Sequence, residues 1–216
     1  EIRKHNNHGK GLPRKFVKGC EYKMKRKVIP FWSKENRDFS NLRLTQFVVD
    51  GIWYSSVEMY VMHQKAVLFN DTTIAKQILD TANSNSYVNQ TIYKHFGQQI
   101  RNFDPIVWER KRHAIFLRGI LEKFKQNPTL LSQLKETKGC ILAESNPYDS
   151  LYGIGVDHTH PYVQEPSLWK GKNYCGLYLM IVRYVLCDCD YPDSTYGITQ
   201  SKDQIDRSIA FVKQYL

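Results

Sequence analysis

Glu58 and Lys65 are the residues whose types and spacing most directly suggest chemistry. Seven positions apart, they share one face of a helix, two turns and about 10.5 Å from each other along its axis. Met62 lies between them and Phe69 beyond, so the pair sits among apolar side chains, where a charge is costly to bury unless it is paired or functional. An amine that can lose its proton is a nucleophile, and a nearby carboxylic acid is a proton donor. The competing reading is structural: Glu58, three residues after Ser55, closes a capping box, and Lys65 extends its head to water.

Further along, Trp108 and Arg112 are neighbours on a helix surface, a pair that can grip a phosphate or a flat heterocycle or serve only packing. Glu144-Ser145-Asn146-Pro147-Tyr148-Asp149 followed by Tyr152-Gly153-Ile154-Gly155 joins two carboxylates to glycines that let backbone approach a ligand closely. It is no dinucleotide fingerprint, because the third Gly and the following helix are missing. Asp157, His158 and His160 offer possible metal ligands, but a local His-x-His needs partners elsewhere and the expectation is no metal. Cys187 and Cys189 lack a second pair to complete a zinc tetrad. No G-x-S-x-G, H-E-x-x-H or Walker pattern occurs.

These residues need positioning elements, and the sequence supplies them. Val28 to Trp32 and Leu44 to Tyr54 read as strands, the second split by the hairpin signal Asp50-Gly51. Helices are expected over Val57 to Phe69, from an Asp71 cap through Ala82, around Thr91 to Ile100, and from Pro105 to about Lys125. Asn127-Pro128 starts another that ends near Thr137, before Gly139. Cys140 to Glu144 suits a strand, Asn173 can cap a buried helix from Tyr174 to Leu186, and Ser201 with Gln204 opens the last helix with a capping box.

The chain has 216 residues, enough for one sizeable core, with 42% hydrophobic and 24% charged residues, which excludes collagen-like, coiled-coil and wholly disordered classes. The longest apolar stretch, Cys175 to Val182, is broken by Arg183 well short of the roughly 18 residues a membrane span requires. Neither a span nor a secretion signal is expected, and five scattered cysteines suit an intracellular, reducing compartment, cytoplasmic or nuclear. The net charge of +10 is uneven: residues 1–30 carry ten Lys/Arg against two Glu, whereas the remaining 186 carry 21 basic against 19 acidic residues. An amino-terminal arm, residues 1–27, thus holds the basic character, either contacting phosphates without sequence preference or serving as a solvated tail.

Taken in order, several stretches resemble the NADAR, or YbiA-like, family of N-glycosidases. They are Phe39-Ser40-Asn41, Ser56-Val57-Glu58 with Tyr60 and Gln64-Lys65, Trp108 with Arg112, and Glu144 to Asp149. The pattern continues through Tyr152 to Gly155 and Trp169-Lys170-Gly171-Lys172-Asn173 to Gly176, Leu179-Met180 and Val182-Arg183, so that the similarity covers about residues 29–186. Phe96-Gly97-Gln98 stands where the family tends to have Leu-Gly-Arg, and Tyr152 where Trp is usual. The resemblance implies an α+β, mainly helical single domain with a small β-sheet over residues 28–216. It also implies hydrolysis of the N-glycosidic bond between a ribose and a nitrogen heterocycle. Members act on ribosylated intermediates of riboflavin biosynthesis, and others remove ADP-ribose from guanine bases of nucleic acid; the basic arm favours the second. A non-catalytic module that binds ADP-ribose or an NAD derivative is the alternative outside the enzymes.

On this resemblance Lys65, Glu58 and Asp149 are the expected catalytic residues, with Trp108, Arg112, Arg183, Ser40, Asn41, Gly153 and Asn173 binding substrate. No cofactor and no metal are expected. The partner is ADP-ribosylated nucleic acid or a ribosylated small molecule. In the expected mechanism Lys65 attacks the anomeric carbon, Glu58 or Asp149 shuttles protons, Trp108 stacks on the heterocycle and Arg183 holds a phosphate.

Overall fold

A computed structural model describes residues 26–32, 37–84 and 89–216. The expected arm therefore lies outside the described residues except for Arg26 and Lys27. Arg26 is docked: its guanidinium lies 3.9 Å over the Tyr196 ring and its Nε donates to Thr195 Oγ1.

Strand β1 (Val28–Phe31) pairs in parallel with β4 (Ile141–Glu144), in a register that sets Phe31 beside Glu144. Strands β2 (Phe47–Val49) and β3 (Ile52–Tyr54) form a separate antiparallel hairpin. Its turn residues Asp50 and Gly51 have φ of 48° and 80°, the left-handed pair that a two-residue hairpin demands. The small sheet of the sequence reading is thus two two-stranded ladders.

Among the described residues seven α-helices surround them: α1 (Val57–Leu68), α2 (Thr72–Ser84), α3 (Thr91–Gln98), α4 (Pro105–Lys125), α5 (Pro128–Glu136), α6 (Tyr174–Cys187) and α7 (Lys202–Lys213). Asp71, Asp104 and Ser201 accept hydrogen bonds from the first turns of α2, α4 and α7, as their sequences predict. α6, apolar on nearly every side and buried from Tyr174 to Arg183, packs on β4 and α4 at the centre of one hydrophobic cluster running from Val28 to Val212.

Two caps differ from the sequence reading. The residue capping α1 is Ser56, whose side chain accepts from Met59 N; Ser55 instead bonds Gln90. Glu58 is consequently at the second helical position, and the capping-box reading of its carboxyl fails by one residue. Asn173, in a left-handed conformation with φ 53°, stands at the N-cap position of α6 as its sequence predicts, but its side chain makes no capping hydrogen bond. Its side chain accepts from Glu144 N at 3.0 Å and donates to Leu142 O at 2.8 Å, fastening the helix start to the end of β4. Gly176 permits this approach, since a Cβ there would stand 2.1 Å from Leu142 O.

Lys123 of α4 is buried, and its ammonium donates to Asp38 O at 2.6 Å and Ser40 O at 2.9 Å, with burial pushing its pKa down to about 7. It holds the loop before β2 against α4. Lys123→Ala leaves both carbonyls without their donor and opens a cavity, so the urea midpoint should fall by the equivalent of roughly 3 kcal/mol of stability.

Candidate active site

The loop that Lys123 secures runs directly over the first turn of α1, where Asn41 O accepts from Glu58 N at 3.0 Å. Glu58 is 9% exposed, and its carboxyl, released from capping, faces a cavity of about 240 Å³. Two turns along the same helix Lys65 lines that cavity, its Nζ donating to Gly97 O of α3 at 2.8 Å. Trp108 and Phe116 of α4 form an aromatic wall, with the Lys65 Nζ 5.5 Å from the Trp108 ring centre and 4.4 Å from that of Phe103. Glu144, the last residue of β4, and Asn146, Asp149 and Tyr152 of the following loop complete the opposite side with Cys175 of α6. Larger and more open volumes lie elsewhere, about 720 Å³ along α2 and about 560 Å³ between α4, α6 and α7, yet neither gathers buried carboxylates.

Burial governs the electrostatics. It raises the Glu58 carboxyl to about 7, a rise reinforced by Glu144 and Asp149 and opposed by Lys94 and Lys65. Glu144 is also raised to about 7 by burial, with the Cys175 thiol hydrogen-bonded to its carboxyl; Oε2 is buried and has no hydrogen-bond partner among the described residues. Desolvation lowers the Lys65 pKa, against a smaller pull upward from Glu58. Near neutrality the cavity therefore holds acids that keep their protons and an amine that gives its proton up more readily than one in water. Asp149 differs: its Oδ1 accepts from Leu151 N at 2.9 Å and Tyr152 N at 2.8 Å, an anchorage suited to a fixed anion.

Residues 30–187 match the NADAR domain. The chain belongs to the NADAR family. It is 35% identical over 130 residues to the N-glycosidase R617 of Acanthamoeba polyphaga mimivirus, covering 60% of this chain and 73% of that protein. Identity to Protein irg-1 of Caenorhabditis elegans is 32% over 132 residues, 60% of this chain and 59% of that one. The NMR structure of Escherichia coli YbiA is similar with a TM-score of 0.60 and 25% identity, covering 76% of this chain and 88% of that one. The fold is accordingly the mainly helical, YbiA-like α+β fold.

Within this NADAR domain the residues picked from the sequence divide into three groups. Lys65, Glu58, Asp149, Trp108, Ser40 and Asn41 line one cavity. Arg112, Gly153 and Asn173 stand behind its wall. The Arg112 guanidinium lies 5.7 Å from the Tyr152 ring centre and 5.3 Å from that of Tyr174, and pairs with Glu109 at 2.5 Å. Gly153 lets the loop fold on itself, because a Cβ there would meet the Asp149 and Glu144 carbonyls, both at 2.9 Å. Arg183 is a correction: fully buried, it donates to Thr137 O at 2.6 Å, Thr137 Oγ1 at 2.8 Å and Cys140 O at 3.0 Å. Eight residues beyond Cys175, it lies about 12 Å further along α6, where the helix meets the α5–β4 connection. It cannot hold a substrate phosphate there.

The histidine motif also serves structure, since His158 stacks on Trp32 with ring centres 4.6 Å apart and His160 Nδ1 accepts from Tyr162 N at 3.1 Å. Residues that the sequence reading did not assign to the site are Glu144, Cys175 and Lys94. A short apolar strand ending in a carboxylate was the available signal for Glu144; nothing in an apolar helix separates Cys175 from core.

Arg183→Met should lower unfolding free energy by roughly 3 kcal/mol, by removing a buried cation from three acceptors, while leaving KM of the folded protein unchanged. Trp108→Ala should show the reverse emphasis, a raised KM. Urea titration and steady-state kinetics on both variants measure the contrast.

Proposed function

We propose that this protein is an N-glycosyl hydrolase that removes ADP-ribose from guanine bases of nucleic acid. The family and the identity to a named N-glycosidase support the reaction class. The observation that carries the assignment is the meeting of Glu58 and Lys65 in one cavity beside Trp108. The uneven charge, ten Lys/Arg within residues 1–30, favours a polyanionic substrate over a free ribosylated pyrimidine.

Cleavage of a ribosyl C–N bond needs a proton for the departing nitrogen and electrons for the anomeric carbon. Neutral Lys65 donates its nitrogen pair to that carbon. The C–N bond breaks with its electrons passing to the base nitrogen, which takes the Glu58 proton. The Lys65 nitrogen then releases a proton to a cavity carboxylate and forms a C=N bond as the C–O bond of the ribose ring opens, its oxygen taking a proton. Water adds to this imine, and its collapse frees the sugar and regenerates the amine. Asp149, anchored as an anion, stabilises the positive charge that builds on the sugar, and Trp108 stacks on the base. The cavity is smaller than the roughly 300–1,000 Å³ of sites that enclose a drug-sized ligand, so it takes the base and ribose and leaves the rest of the substrate outside.

Incubation with an oligonucleotide carrying ADP-ribosylated guanine should release free ADP-ribose and restore the unmodified mass; an intact adduct overturns the reading. Borohydride added during turnover should link the sugar to Lys65, and Lys65→Ala should abolish both the adduct and turnover. Glu58→Gln should slow kcat by roughly 10²–10⁴. In the wild type, kcat/KM should follow a bell-shaped pH profile with one limb near 7 set by the Glu58 carboxyl and the other set by the Lys65 amine, because the reactive form carries the Glu58 proton and lacks the Lys65 one.

A further inference from the structure

Tyr148 is 96% exposed, the extreme among the large hydrophobic side chains of the described residues, and it stands in sequence between two residues that line the cavity, Asn146 and Asp149. Its backbone is held firmly: Tyr148 N donates to Asn146 Oδ1 at 3.0 Å, Asp149 N donates to Asn146 O at 3.3 Å, and Asp149 Oδ1 accepts from Leu151 N and Tyr152 N. The chain thus presents a flat ring, without cover from its own fold, on a fixed loop whose neighbouring residues line the cavity. A second aromatic, Phe103, is 43% exposed and lies directly against Lys65. Exposed Lys94, which also lines the cavity, adds positive charge at the same opening.

We infer that this rim is a stacking platform for single-stranded nucleic acid, with Tyr148 receiving the base next to the one that enters the cavity. The inference rests on the reading that the cavity takes a ribosylated base. Two exposed rings among polar loop atoms lack the broad apolar patch a protein partner would need. A nucleotide chain supplies what fits: a flat neighbour one sugar-phosphate unit from the inserted base, and negative charge for Lys94 and for the basic arm. Single strands suit it because their bases are free to splay apart, whereas a duplex keeps the neighbouring base paired and stacked. Tyr148 is therefore a specificity-determining residue that discriminates strand from mononucleotide and leaves the bond-breaking groups untouched.

The test uses the full chain and two substrates, ADP-ribosylated guanine within a short single strand and as a mononucleotide. Tyr148→Ala should lower kcat/KM on the strand roughly tenfold, the worth of one base stack, through KM and with kcat held. On the mononucleotide it should change nothing, and Tyr148→Phe or Tyr148→Trp should keep full activity on the strand. Equal losses on both substrates, or no loss on the strand, overturn the platform and leave the N-glycosidase reading intact. Fluorescence anisotropy with an unmodified labelled strand separates the two further. A tenfold weaker Kd for Tyr148→Ala supports the platform even if the wild type cleaves neither substrate, which would sink the enzymatic reading alone; an unchanged Kd sinks the platform.

Discussion

Two carboxyl groups buried in the wall of one small cavity dominate this molecule. Water cannot solvate Glu58 and Glu144 well, so each resists ionising, and each makes ionisation of a neighbouring acid harder. The same dry surroundings act in the opposite sense on Lys65, which they push toward its neutral, nucleophilic form. A single physical cause, desolvation, thereby prepares both a proton donor and a nucleophile. Asp149 is held differently, its Oδ1 accepting from the backbone of Leu151 and Tyr152.

Such a cavity stands only if its walls are fixed, and the wall is fixed by buried polar side chains that never reach it. Lys123 ties down the loop bearing Ser40 and Asn41; Asn173 ties β4 to α6 at the backbone of Glu144 itself; Arg183 ties the far end of α6 to the approach of β4. Each satisfies otherwise orphaned carbonyl groups in the interior. The domain thus surrounds its reactive pair with a polar scaffold hidden in the core, and the cost of burying three polar side chains is offset by well-made hydrogen bonds.

Much of this arrangement was legible in the sequence. Helical spacing placed Glu58 and Lys65 on one face, the Asp-Gly turn and the Asp104-Pro105 start appear where chain chemistry puts them, and the motif order identified the family. The errors share one origin. Ser55 and Ser56 are equivalent to a pattern, and the choice between them is made by Gln90, a partner 35 residues away. Asn173 reads as a cap until the Leu142 carbonyl lies within reach. Arg183 belongs to the family motif, but a motif fixes residue types and not the direction in which a side chain leaves its helix. Glu144 stands in the stretch that its two carboxylates single out, but its burial in the cavity wall follows only from the placement of β4 against β1 and α6.

That parallel pairing of β1 with β4 joins segments more than a hundred positions apart, Val28 with Ile141 and Phe31 with Glu144. Contacts across such a separation are among the slowest to form. During synthesis, α1 can emerge with Glu58 and Lys65 long before the strand that brings the second acid has left the ribosome. On the proposed mechanism the nascent chain is accordingly inert, because the amine leaves solvent only when the last third of the polypeptide closes over it.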